Sequence, residues 1–231
     1  MGYYGIDFYY ILLVLPALLL ATWAQVKVKS TYKKYNRVRN IRGITGAYAA
    51  QCVLMYYGIT DVYIQQIGGN LTDNYNPTTK VLSLSRDVYS GDSIAAVGIA
   101  CHEVGHAIQH AHGYLPNRIR SSLVPVCNVG STIGLPMAII GYFLGFGPLI
   151  YAGLILYGLV ALFQFVTLPV EFDASKRALK AIEERGLLYD DEKDGAKKVL
   201  RAAALTYVTS LIVSLANLLR FVLRFTNNRR N

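Results

Sequence analysis

Charge is scarce in this 231-residue chain: 16% of its residues are Asp, Glu, Lys or Arg, while 53% are hydrophobic. Soluble domains carry about a quarter charged residues, so an ordinary soluble protein is excluded and membrane segments are expected. Acidic residues are the scarcer sign, 14 against 23 basic, leaving a formal charge of +9. Cysteine is scarcer still. Cys52, Cys101 and Cys127 are odd in number, far apart and without metal-ligand spacing. That excludes a disulfide framework and a cysteine-held metal, and suits reduced filler positions. No basic stretch precedes the first apolar run, which excludes a cleavable signal peptide.

What the chain does have is long apolar runs. Residues 8–26 carry no charge over 19 positions, enough for one membrane span. Residues 121–170 are charge-free for 50 positions, and Gly145-Phe146-Gly147-Pro148 near their middle predicts a hairpin of two spanning helices. A fourth run, residues 202–219, is diluted by Thr206, Thr209, Ser210, Ser214 and Asn217 and is followed by Arg220 and Arg224. It reads either as a span or as an interfacial amphipathic helix. Seven basic and no acidic residues between Lys27 and Arg42 put that side in the cytoplasm by the positive-inside rule. This cluster follows a span directly and faces anionic lipid, so the positive charge does not argue for nucleic acid. Basic residues interleaved with exposed aromatics would be needed for that, and only Tyr32 and Tyr35 stand nearby.

The implied organisation is an N-terminal transmembrane helix over 1–26 and a cytoplasmic region over 27–120. A transmembrane hairpin over 121–170, cytoplasmic helices over 171–203 and a C-terminal apolar helix with a basic tail over 204–231 complete it. Within the first cytoplasmic region, Thr45 caps a helix running to Tyr57 that Gly58 closes. Residues 62–67 read as a strand, 74–77 as a turn, and 80–85 as a half-buried strand expected to offer its edge to an extended substrate. The fold class is mainly α with a small β element: transmembrane helices and a small cytoplasmic α+β region.

That region carries the chemistry. Asp92 or Ser93 can cap a helix whose apolar run enters His102-Glu103-Val104-Gly105-His106 and ends near Gly113. This is the HExxH signature, and its chance occurrence is on the order of one in a thousand such chains. Residues i and i+4 share one helix face, so both imidazoles can bind one zinc ion, and Glu103 is placed as general base toward a water on it. A buried helix that presents His, Glu and His needs a polar partner for them, which a metal supplies.

The motif with its surroundings resembles a known family. Residues 69–77 (GNLTDNYNP), Leu82-Ser83, Asp87-Val88-Tyr89, residues 102–111 (HEVGHAIQHA) and residues 168–175 (LPVEFDAS) look like the YugP-type neutral zinc metallopeptidases, membrane-embedded prokaryotic proteins. The resemblance covers about residues 43–178. That family is similar in turn to the HtpX-type gluzincins, in which the Glu of a downstream E-[FY]-x-A-D string is the third zinc ligand. Here the string is Glu171-Phe172-Asp173-Ala174-Ser175, with Ser in place of the Asp. The resemblance therefore implies His102, His106 and Glu171 as ligands of one zinc per chain. Asp173, two residues beyond Glu171, stands where it could orient a histidine ligand.

Two histidines compete for the third position. His112 has the spacing of the pattern HExxHxxGxxH, but Gln109 stands where that pattern needs Gly to turn the chain, so the helix should continue. His110 lies about 12 Å along the helix axis from His102, too far to share an ion with it. The expected activity is a membrane-bound zinc endopeptidase acting on proteins or peptides near the bilayer. The competing reading is a catalytically idle zinc-binding scaffold or chaperone. It is disfavoured because a structural zinc site uses four protein ligands and needs no base. Tyr75, Tyr89 and His110 are the candidates for oxyanion stabilisation, unranked.

Overall fold

A computed structural model describes residues 7–227, and its fold is mainly helical. A π-helical turn, Tyr10–Val14, leads into α1 (Leu15–Tyr35). Then follow α2 (Gly46–Tyr56), β1 (Tyr63–Ile67), β2 (Asn74–Asn76), β3 (Val81–Ser85), α3 (Arg86–Tyr89) and α4 (Ile94–Ala111). Three long helices complete the chain: α5 (Leu115–Phe143), α6 (Gly147–Glu184) and α7 (Asp190–Asn227). These elements contribute to two compact units, one gathering, of the described residues, 7–25, 119–168 and 206–227, the other residues 26–118 and 169–205.

The first unit is built from the apolar lengths of four helices, each long and apolar enough to cross a membrane. Leu19, Ile140, Ile155 and Phe165 are among the large apolar side chains on its exposed surface, the pattern of helices bathed in lipid rather than water. Lipid tails offer no hydrophobic drive for helix pairing, so close backbone approach must supply it. Gly130-Ser131-Thr132-Ile133-Gly134 on α5 has the small-xxx-small spacing. A Cβ on Gly130 would lie 2.7 Å from the Leu156 carbonyl oxygen, and one on Gly153 would lie 2.5 Å from that of Gly134. The turn between these helices sits at Gly145, whose φ of +64° suits glycine. Asp7 ties the far end of α7 to the beginning of the first helix: Arg220 Nη2 and Arg224 Nη1 lie 3.1 and 3.0 Å from its Oδ2. The two arginines that complicate a fourth span are thus paired with a carboxylate at the start of the first.

The second unit has α4 at its centre. Leu82 and Leu84 of β3, Val53 and Leu54 of α2, Ala178 and Ile182 of α6, and Val199 and Leu200 of α7 form a buried cluster with Val97, Val104 and Ile108 of α4. The sheet order is β1-β3-β2, with β1 parallel and β2 antiparallel to β3. This corrects two expectations. Residues 74–76 form a strand rather than a turn, because Tyr75 pairs with Leu82 and its hydroxyl meets His110. The 81–85 strand lies between β1, which pairs along its whole length, and β2, which pairs with Val81–Ser83, so it is not the edge strand that substrate pairing needs.

Two helices run across the segment boundaries expected at 170/171 and 203/204. Pro169 lies inside α6, which continues unbroken through residue 171, and α7 continues through residue 204. Proline costs one backbone hydrogen bond, which packing of the flanking turns compensates.

Candidate metal centre

The motif helix begins where Ser93 accepts a hydrogen bond from the Ala96 N–H at 3.1 Å, a side-chain cap for an end that lacks intrahelical partners. It ends at His112, after which Gly113 adopts φ +62°. Between these stops the helix is buried on most sides, which fixes its rotation and leaves one face for His102 and His106. Their rings lie 4.8 Å apart, edge to face.

Glu171 approaches that face from α6. Its Oε2 lies 3.3 Å from His102 Nε2 and 3.6 Å from His106 Nε2, and the carboxylate is 2% exposed. The three offer ligand atoms within 4.8 Å of one another, the one such group of His, Cys, Asp or Glu found among the described residues. Zinc–ligand bonds of 2.0–2.1 Å in a tetrahedron give ligand–ligand edges of about 3.3 Å. The two Glu171–histidine spacings, 3.3 and 3.6 Å, match that edge, and a tetrahedral ion held by these three side chains would keep a fourth position. His110 and His112 stand outside the group. His110 Nδ1 lies 3.0 Å from the Tyr75 hydroxyl, and the His112 ring packs on Tyr57.

Glycine makes this convergence possible. A Cβ on Gly105 would lie 2.5 Å from the Ala174 carbonyl oxygen and 3.1 Å from its Cα, so α4 and α6 touch backbone to backbone one residue before His106 and three after Glu171. Any side chain there would hold apart the helices that carry His106 and Glu171.

The electrostatics follow from burial and proximity. Burial works against a charged Glu171, but contacts from His102 and His106 outweigh it and hold the carboxyl well below its usual range. Burial favours a neutral His106 ring, yet Glu171 and Glu103 outweigh it and raise its basicity. The carboxylate is thus held ionised, as metal binding requires. For Glu103 burial is the largest influence and moves its carboxyl upward; His102 and His106 oppose this, while Glu171 and Asp73 reinforce it. A raised carboxyl is a stronger base, better matched to proton transfer near neutrality.

Each histidine also has a partner on its other ring nitrogen. Ser175 Oγ lies 3.2 Å from His102 Nδ1, where it can orient that ring. Gln109 Oε1 lies 3.1 Å from His106 Nδ1. Asp173 touches neither histidine: its Oδ2 accepts from Gln109 Nε2 at 2.8 Å and from Arg177 Nε. Sequence reasoning passed over Gln109 as a functional residue and left Ser175 without a role. Their offsets of three from His106 and four from Glu171 were the available signal. Of the oxyanion candidates, Tyr75 and His110 are joined to each other. Tyr89 lines a separate cavity of about 750 Å³ between α2 and β1 that contains none of the motif residues.

Comparison with known proteins adds to this geometry. A family profile described as "Putative neutral zinc metallopeptidase" matches residues 10–226. The chain is similar to the Bacillus subtilis (strain 168) protein named "Putative membrane protease YugP", with 46% identity over 220 residues that cover 95% of this chain and 98% of that one. No solved structure matches it.

Proposed function

The chain belongs to the family described as "Putative neutral zinc metallopeptidase", and from that premise we propose that it is a multi-pass membrane endopeptidase. His102, His106 and Glu171 hold one zinc ion, and Glu103 is the general base. The observation that carries this reading is the convergence of the three side chains within 4.8 Å, with Glu103 buried beside His102 on the same helix. Zinc, when bound there, supplies a Lewis acid that polarises the scissile carbonyl and acidifies the attacking water. Glu103 takes a proton from that water and returns it to the leaving amine, which a carboxyl of raised basicity does more readily. Gln109 and Ser175 orient the two imidazoles, and Gly105 sets the spacing between the helices that bring the residues together.

We assign residues 27–120 and 171–203 to the cytoplasmic side, following the basic cluster at 27–42. Four spans then put both ends of the chain outside, and the pairing of Arg220 and Arg224 with Asp7 supports the fourth despite its charges. Glu171 follows the apolar run of α6 directly, so substrates are protein segments close to the bilayer. The test is cleavage of casein or a quenched peptide by the purified protein in detergent. Activity abolished by a chelator and restored by zinc supports the reading. Activity indifferent to metal, or absent with zinc bound stoichiometrically, favours the scaffold.

A further inference from the structure

Gln109 is fully buried on the motif helix, and every polar group it carries is engaged. Its Nε2 donates to the Val170 carbonyl at 2.7 Å and to Asp173 Oδ2 at 2.8 Å, while its Oε1 lies 3.1 Å from His106 Nδ1. We propose that Gln109 is a positioning residue that fixes the tautomer of His106 and ties that histidine to the helix carrying Glu171.

Donors and acceptors fix the orientation of the Gln109 amide. A primary amide has two N–H donors on one side and an acceptor oxygen on the other. The two groups on the far side of Gln109, a backbone carbonyl and a carboxylate, are both acceptors. Turning the amide over would set its oxygen against two oxygens with no proton between them, in a buried site where such a contact is most costly. Asp173 Oδ2 also accepts from Arg177 Nε, whose guanidinium lies over the Tyr114 ring. The amide nitrogen therefore faces Val170 and Asp173, and the oxygen faces His106. Facing an acceptor, Nδ1 of His106 carries a proton, so Nε2, 3.6 Å from Glu171 Oε2, is the nitrogen whose proton a metal replaces, leaving the Nδ1–H tautomer. That is the tautomer a metal needs.

His102 is held differently. Ser175 Oγ both donates and accepts, so it orients the ring without dictating where the proton sits. The two histidines are thus unequal, and only His106 has its protonation pattern imposed from outside. Because Val170 and Asp173 flank Glu171 on one helix turn, the same amide also sets the height of Glu171 against His106.

This inference rests on the zinc-site reading, and two measurements separate them. The first uses metal-free protein with ¹⁵N-labelled histidine and Glu171→Ala, so that no carboxylate competes for a proton on Nε2, at a pH where the rings are neutral. His106 is expected as the Nδ1–H tautomer with Gln109 intact and as a mixture when Gln109→Leu is added. An Nε2–H ring with Gln109 intact overturns the inference, whether or not zinc binds. The second is zinc affinity by chelator competition in folded protein. Gln109→Leu and Gln109→Glu are expected to lose about 10–100-fold. The pair Gln109→Glu with Asp173→Asn should recover part of that, since it restores a donor opposite an acceptor. Wild-type affinity in Gln109→Leu, or no recovery in the pair, overturns the positioning role. Zinc retained by His106→Ala overturns the metal reading instead and leaves the tautomer result to stand by itself.

Discussion

Gly105→Ala is the smallest perturbation that tests how the site is assembled. The added methyl would meet the Ala174 carbonyl oxygen at 2.5 Å, whereas ordinary van der Waals contact begins near 3.4 Å. The obstacle is helix backbone rather than a flexible side-chain end, so relief must come from moving α6 away from α4 by about 0.9 Å. Glu171 is three residues from Ala174 on the same rigid helix and moves with it. Metal–ligand distances tolerate only about 0.2 Å, so the ion must give up a ligand or pull the helices back into the clash. Overpacking of this kind costs about 1–3 kcal/mol. At 1.4 kcal/mol per tenfold, that is a loss in zinc affinity of roughly 5- to 150-fold. The assay is chelator competition on purified protein, paired with thermal unfolding with and without zinc. The zinc-induced gain in Tm should shrink more than the metal-free Tm falls, because the strain is largest in the bound geometry. Zinc affinity within twofold of wild type would refute the claim that the helix contact sets the ligand spacing.

Other outcomes follow from the same geometry. Glu171→Ala should lose zinc, whereas His110→Ala and His112→Ala should keep it, since only Glu171 lies within reach of both motif imidazoles; zinc content by atomic absorption decides, and the reverse pattern contradicts the ligand assignment. Ser90→Cys in a Cys52→Ser background should resist membrane-impermeant thiol reagents in intact cells and react after lysis, Ser90 being exposed in the second unit; labelling from outside contradicts the cytoplasmic orientation. Asp7→Ala should lower Tm by leaving Arg220 and Arg224 without their shared carboxylate, and Asp7→Glu should restore part of the loss.

Much of the local architecture was legible because it rests on local rules. Thr45 and Ser93 cap the helices that follow them, accepting from N–H groups three residues on. Gly58, Gly113 and Gly145 adopt positive φ where they were read as stops. The approach of Glu171 to the motif histidines was anticipated through a family resemblance rather than through spacing, since nothing in the string from 103 to 170 encodes the contact. What stayed hidden depends on distant neighbours. Asn74-Tyr75-Asn76 has the composition of a turn and is a strand because β3 and His110 supply its partners. The offer of β3 to substrate failed because strand order is a tertiary property that alternation cannot reveal. Gln109 read as a helix former and nothing more, and its role appears only when Val170 and Asp173, more than sixty residues on, arrive beside it.

The central claim, hydrolysis at His102, His106 and Glu171 with Glu103 as base, is tested most directly by comparing wild type and Glu103→Gln at equal zinc occupancy. The substitution leaves the three candidate ligands in place and removes the base, which typically contributes ~10²–10⁴-fold. The account predicts one zinc per chain in both proteins and a loss of peptide cleavage of that size in the mutant. Comparable turnover by the two proteins, with zinc bound equally, would contradict it.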